Sequence, residues 1–323
     1  MYASDPAAVT SASEAPRKRT SVRPSVSNSL LESIGRTPLL SLAGIASDSP
    51  SPFGLWAKAE FLNPTGSVKD RAAISMVRQA MNDGRLTPAH TLIDASSGNT
   101  AVAYAMLGAQ LGFSVELCLP RNAHPERLQR IQAYGAQVVL TDPLDGTDGA
   151  QREARKRSLE SPDRYFFPDQ YNNPANPQAH YATTGPEIWE QSQGRITHFV
   201  AGVGTGGTIS GVARFLKEQR GSVRVIGVQP TGPIHGIEGL KHIPSALRPS
   251  TYDESLIDET IRVETDAARA MSRQLAQDEG LLVGNSSGAA VWAAREIGRA
   301  SPGAVVVTIL PDRGDRDGSE VSA

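Results

Sequence analysis

From about residue 60 onward the chain alternates short, β-branched apolar runs with longer amphipathic stretches, and Gly or Pro closes each of them. Few architectures accommodate that pattern. The runs 91–94, 115–119, 137–140, 198–201, 223–228 and 305–310 are short and continuously apolar enough to read as buried strands. Between them, 72–82, 100–111, 125–134, 186–191 and 267–278 carry helical spacing, with stops such as Gly84 and Gly135. Alternation of this kind makes an α/β fold, a mostly parallel sheet covered by helices on both faces. Such sheets gather ligands at the carboxyl ends of their strands, where a strand hands over to a helix, so those handovers are the places to look for chemistry.

At 323 residues the chain exceeds what one compact core usually organises, which predicts two domains or one large unit with two lobes. A net charge of -2 with 20% charged residues offers no basic field for a polyanion, which argues against a nucleic-acid partner. The one cysteine, Cys118, sits in an apolar run and reads as a small hydrophobe in a buried strand. A lone thiol forms no internal disulfide, in keeping with a reducing compartment. No stretch reaches the ~18 continuous apolar residues of a spanning helix, and the N-terminus lacks the apolar core of a secretory signal. The expectation is a soluble cytoplasmic protein. Residues 1–28 are rich in Ala, Ser, Pro and Thr and carry no large apolar periodicity, so they read as a disordered tail.

Four segments at expected handovers carry candidate chemistry. Asn63-Pro64-Thr65-Gly66-Ser67-Val68-Lys69-Asp70-Arg71 is a polar turn leading into a helix. A cation in a first helical turn is opposed by the helix dipole, which lowers an amine's pKa as a Schiff-base lysine requires. Asp94-Ala95-Ser96-Ser97-Gly98-Asn99-Thr100 supplies hydroxyl, amide and backbone donors at a helix start, a seat for a carboxylate. An ordinary helix cap needs only one of those residues. Gly202-Val203-Gly204-Thr205-Gly206-Gly207-Thr208 matches the dinucleotide spacing G-x-G-x-x-G. A dinucleotide site wants an acidic residue at the end of the next strand, where Gln229 stands, and the same amides suit a single phosphate. Gly284-Asn285-Ser286-Ser287-Gly288 satisfies the hydrolase pattern G-x-S-x-G, but the catalytic His of that fold follows its Ser, and the last histidine here is His242. Six histidines without an i, i+4 pair and a single cysteine argue against a metal site.

Together and in this order, the four segments resemble the cysteine synthase family, the O-acetylserine sulfhydrylases and the similar catalytic core of cystathionine β-synthase. The resemblance extends from about Leu31, through Ile34-Gly35-Arg36-Thr37-Pro38-Leu39, Gln170-Tyr171-Asn172-Asn173-Pro174-Ala175-Asn176-Pro177 and Thr184-Gly185-Pro186-Glu187, to about Arg313. It implies a tryptophan synthase β-like pyridoxal-phosphate fold of type II, two αβα lobes with mostly parallel sheets. Residues 29–62 would pack with the larger domain, 63–173 would form a smaller domain that closes on substrate, and 174–323 the larger domain that binds the cofactor phosphate. By the same resemblance Lys69 holds pyridoxal 5′-phosphate as a Schiff base and Asn99 bonds its ring oxygen. Gly204, Thr205, Gly206, Gly207 and Thr208 hold its phosphate, Ser286 faces the pyridine nitrogen, and Ser96, Ser97, Thr100 and Gln170 grip the substrate carboxylate. The implied activity is β-replacement on O-acetylserine or O-phosphoserine through an aminoacrylate, with sulfide or a related donor giving L-cysteine. A homodimer is implied, with a serine acetyltransferase or a sulfur-carrier protein as partner.

Three features depart from the family pattern. Ala101 stands where Gly is usual, Asn285 where an apolar residue is usual, and Asp315-Arg316-Asp317 lacks the usual Tyr-Leu-Ser continuation. Lys69-Asp70-Arg71 is the synthase-like version of the lysine segment rather than that of a dehydratase. Cystathionine-type condensation with a thiol shares the core motifs, and an inactive cofactor-binding scaffold is the alternative of another class. In the 230–243 segment, Lys241 and His242 are the two cations that would favour a phosphate leaving group.

Overall fold

A computed structural model describes residues 30–47, 52–96, 98–123 and 125–314. The expected tail at 1–28, Ser97, His124 and the residues from Asp315 onward lie outside the described residues.

The strands are β1 (Leu39–Ser41), β2 (Gly54–Lys58), β3 (Thr91–Ala95), β4 (Ser114–Pro120), β5 (Gln137–Thr141), β6 (Tyr165–Phe166), β7 (His198–Gly202), β8 (Arg224–Pro230), β9 (Glu259–Val263) and β10 (Val305–Ile309). They form a six-stranded sheet in the order β1-β2-β10-β7-β8-β9 and a four-stranded sheet in the order β5-β4-β3-β6. Only β1 against β2 is antiparallel, with Leu40 opposite Ala57; the other described pairs are parallel. The expected α/β fold with two mostly parallel sheets is the one found.

The helices are α1 (Ala43–Ala46), α2 (Lys69–Asn82), α3 (Asn99–Leu111), α4 (Pro125–Ala133), α5 (Gly146–Glu160), α6 (Ala175–Ala179), α7 (Gly185–Gln191), α8 (Gly207–Gln219), α9 (Thr265–Glu279) and α10 (Asn285–Ala300). A π-helical turn, His180–Thr184, joins α6 to α7.

Strand sequences are continuously apolar where both faces are covered. In β10, Val306 packs into a core with Leu55, Val200 and Val291, while Val307 and Ile309 point into another with Phe199, Val212 and Val225. The four-stranded sheet has its own core, in which Leu92 and Leu117 meet Val77 of α2 and Tyr104 and Leu107 of α3. Cys118 is buried in β4, as its apolar run suggests, and burial pushes its thiol up to about 12.

Elements that escape periodicity have visible reasons for it. In α5 (GTDGAQREARKRSLE) only the small residues Ala150 and Ala154 reach a core, so its buried stripe is faint. β9 alternates exposed and covered residues at the sheet edge, and β2 ends on the fully buried Lys58.

Candidate active site

Each of the four chemical segments becomes a helix start: α2 begins at Lys69, α3 at Asn99, α8 at Gly207 and α10 at Asn285. All four reach one cavity of about 330 Å³. Lys69, Ser96, Asn99, Thr100 and Gln170 line it, and so do Gly204, Thr205, Gly206, Thr208 and Ser286. Gly207 instead backs the wall, for a Cβ there would lie 2.0 Å from Asn176 Oδ1. Four helix N-termini meet at the cavity, and each favours an anionic group placed near it.

The turn that carries Lys69 is held by buried polar bonds. The Gly35 N–H donates to Asn63 Oδ1 at 2.8 Å, the Thr65 N–H donates to Asp70 Oδ2 at 2.7 Å, and the Thr65 hydroxyl donates to Asp70 Oδ1. Burial pushes the Asp70 carboxyl up to about 6 against these donors. Two residues past the lysine, Arg71 spans Glu60 (Nε to Oε2, 2.7 Å) and Glu187 of α7 (Nη1 to Oε1, 2.7 Å). Lys58 completes the network at 2.6 Å from Glu187, so two cations meet two carboxylates and no net charge is buried. Burial alone would raise the Glu187 carboxyl, but the Arg71 and Lys58 cations hold it at about 2. Lys69 is therefore half-buried on a backbone anchored on both sides.

On the β3–α3 side the Thr100 hydroxyl donates to Gln170 Oε1 at 2.9 Å, which leaves the Gln170 amide hydrogens for another acceptor. Asn99 Nδ2 donates to Asp312 Oδ2 at 2.9 Å and keeps its second hydrogen. The Ser286 hydroxyl donates to Asp312 Oδ1 at 3.4 Å, a long bond at the limit of hydrogen bonding. Lys241 also lines the cavity, with Nζ 4.7 Å from the centre of the Tyr171 ring, and burial lowers its pKa. His242 instead pairs with Ser245 Oγ at 2.7 Å outside the cavity lining.

The 204–208 turn has the shape of a phosphate cradle. A Cβ on Gly204 would meet the Gly239 carbonyl oxygen at 2.3 Å; Gly206 sits at φ +83°, where a Cβ would meet Tyr252 at 2.4 Å. Side chains are thus excluded at 204 and 206, and the turn keeps bare backbone amides there beside Thr205 and Thr208. A lysine, a carboxylate seat and a phosphate cradle in one cavity fit pyridoxal phosphate and an amino-acid substrate.

Comparison with known proteins agrees. Residues 30–312 match the family model "Pyridoxal-phosphate dependent enzyme". The cysteine synthase of Aquifex aeolicus is 50% identical over 292 residues, 89% of each chain. The chain belongs to the cysteine synthase family of pyridoxal-phosphate-dependent enzymes. Among solved structures of that family, the cysteine synthase (OASS) of Entamoeba histolytica superimposes with a TM-score of 0.87 at 35% identity, covering 93% of this chain and 91% of that one. The O-acetylserine dependent cystathionine β-synthase of Helicobacter pylori gives 0.84 at 34% identity, covering 91% and 97%.

Sequence reasoning missed Asp312. Its carboxylate accepts from both Asn99 and Ser286 inside the cavity. The available signal was its place just past the carboxyl end of β10, where α/β sheets put ligand groups. The Lys58–Glu60–Arg71–Glu187 network was also missed; nothing in the spacing of those four residues announces it.

Proposed function

We propose that this chain makes L-cysteine by β-replacement on an activated serine, O-acetylserine or O-phosphoserine, with sulfide or a related sulfur donor. The observation that carries this is the single cavity in which Lys69, the Thr100–Gln170 pair and the 204–208 turn meet. When bound, pyridoxal phosphate supplies an electron sink for the negative charge that develops at the substrate Cα.

The chain's own residues do the rest. Lys69 Nζ would hold the cofactor, and its amine would take the proton from the substrate Cα. The lysine stands in the first turn of α2, where the helix dipole opposes a cation. Ser96, Ser97, Thr100 and Gln170 grip the substrate carboxylate; because Gln170 Oε1 already accepts from Thr100, its Nε2 hydrogens serve that carboxylate. Asn99 is oriented by Asp312, and its second Nδ2 hydrogen would serve the ring oxygen of the cofactor. Gly204, Thr205, Gly206, Gly207 and Thr208 hold the phosphate. Ser286 would face the pyridine nitrogen with a neutral hydroxyl rather than a carboxylate, which would favour loss of the β-substituent over transamination.

The remaining expectations belong to the same proposal. Residues 63–173 act as the smaller closing domain, while 174–323, with 29–62 packed on it, act as the larger one. The enzyme works as a cytoplasmic homodimer, and a serine acetyltransferase or a sulfur-carrier protein is the partner class to test. Condensation with a larger thiol is the second reading, favoured by the likeness to the Helicobacter pylori enzyme.

The test is spectroscopic. Protein purified with pyridoxal phosphate should show a visible cofactor band that is lost in Lys69→Ala, and one of the two serine esters should shift that band before any sulfide is added. Activity in Lys69→Ala should fall by about 10³-fold or more. Bound cofactor that neither ester perturbs would sink the assigned reaction, and failure to bind cofactor would sink the whole assignment.

A further inference from the structure

Behind the 204–208 turn, one short segment supplies two of its side-chain supports, beside the Thr251 hydroxyl that donates to the Thr205 carbonyl at 2.6 Å. Asn176 in α6 and His180 at the start of the π-helical turn are four residues apart and both buried. Asn176 Nδ2 donates to the Gln170 carbonyl at 2.8 Å and to Thr205 Oγ1 at 3.1 Å. A backbone carbonyl only accepts, so the amide orientation is settled and Thr205 Oγ1 is an acceptor. It accepts the Gly207 N–H as well, at 3.3 Å. The Thr205 proton is thereby left to donate, and Thr205 lines the cavity.

His180 supports Thr208 in the same way. Its Nδ1 lies 2.9 Å from Thr184 Oγ1 and its Nε2 lies 3.2 Å from Thr208 Oγ1. Burial drives its pKa down to about 3, so the ring is neutral, with one N–H and one lone pair. Two arrangements satisfy both contacts. In one, Nε2–H donates to Thr208 while Nδ1 accepts from Thr184. In the other, Thr208 spends its proton on the ring and turns lone pairs toward the cavity, where a phosphate, itself an acceptor, would be repelled.

We propose that Asn176 and His180 are positioning residues that fix the direction of the Thr205 and Thr208 hydroxyls, His180 as its Nε2–H tautomer, so that the turn presents only donors to the cofactor phosphate. This rests on the phosphate reading of the 204–208 turn given above. Neither residue lines the cavity; each acts through a threonine that does.

A double-mutant cycle on the dissociation constant for pyridoxal phosphate tests it. Thr208→Val and His180→Leu should each weaken binding on the order of tenfold, the loss of one hydrogen bond to a charged group. The double variant should be no weaker than either single one, and His180→Gln, which keeps a donor near the Nε2 position, should stay within about threefold of wild type. Effects that multiply in the double variant, or a Gln variant as weak as the Leu variant, would overturn the proposal. Unchanged affinity in Thr208→Val would locate the error in the phosphate reading itself and remove the proposal with it. Independently of any variant, ¹⁵N NMR of the wild-type holoenzyme should find the His180 proton on Nε2; a proton on Nδ1 refutes the assigned tautomer.

Discussion

Two strand-to-helix turns line the same cavity and read much alike, each a short run of Gly with Ser or Thr, but they are built to different tolerances. The turn after β7 is wedged. Added Cβ atoms at Gly204, Gly206 and Gly207 would meet the Gly239 carbonyl, Tyr252 and Asn176 at 2.3, 2.4 and 2.0 Å. The turn after β3 is open at its glycine: a Cβ on Gly98 would find nothing nearer than Ser96 Oγ at 4.0 Å, and its φ of -117° suits any residue. The first turn is therefore packed against its neighbours at three glycines, whereas the second leaves room at its one.

The most forceful way to break the comparison is to add one methyl group to each turn. Gly206→Ala combines left-handed backbone strain with a collision at Tyr252 and should cost roughly 3 kcal/mol, or about 100-fold in cofactor affinity. Gly98→Ala should leave cofactor affinity within about twofold, because the added methyl makes no collision. Equal losses measured by cofactor titration would erase the distinction.

A subtler contrast lies beneath the open turn. Asp94, at the end of β3, is pushed up to about 7 by burial, with the charge of Asp169 adding to the rise. A folded-state pKa raised from 3.8 means that its contribution to stability is complete below about pH 4 and is lost as pH rises through 7. Asp94→Asn should match wild type in thermal stability at pH 4 and exceed it by roughly 5 °C at pH 8. A melting-temperature difference that is the same at both pH values would show that Asp94 does not titrate as its burial implies.

The smallest expected effect concerns the rim. Arg127 of α4 makes a paired contact with Glu238, a residue of the loop beside Gly239, and both line the cavity. Glu238 is half-exposed, so the pair is screened, and Glu238→Ala should change kcat/KM for the serine ester by less than about fivefold. A larger change, confined to KM, would make this contact part of how the open side closes.

Much of this architecture is legible in the chain itself. The six strands expected from apolar runs all form, within a residue or two of their expected ends; five of them are largely buried, as consecutive Val, Ile and Leu indicate, but β5, expected to be buried too, lies at a sheet edge with Leu140 exposed. The four chemical segments also lie at helix starts, as their Gly, Ser, Thr and Asn content indicates. The α5 helix was illegible because its buried stripe is alanine, and β9 because an edge strand is only half covered. Of the two cations expected to favour a phosphate leaving group, Lys241 reaches the cavity and His242 does not; adjacent residues in a loop carry no periodicity to say which one points inward.

What the sequence determined by itself is local: strands, helix starts, and a lysine at the head of α2 where a helix dipole works on its amine. What only the tertiary structure decided is which distant groups meet. Asp312 reaches Asn99 across 213 positions, Arg71 reaches Glu187 across 116, and His180 reaches Thr208 across 28. Hydrogen bonds between side chains so far apart depend on how two sheets and their helices pack, and short-range periodicity does not record that packing.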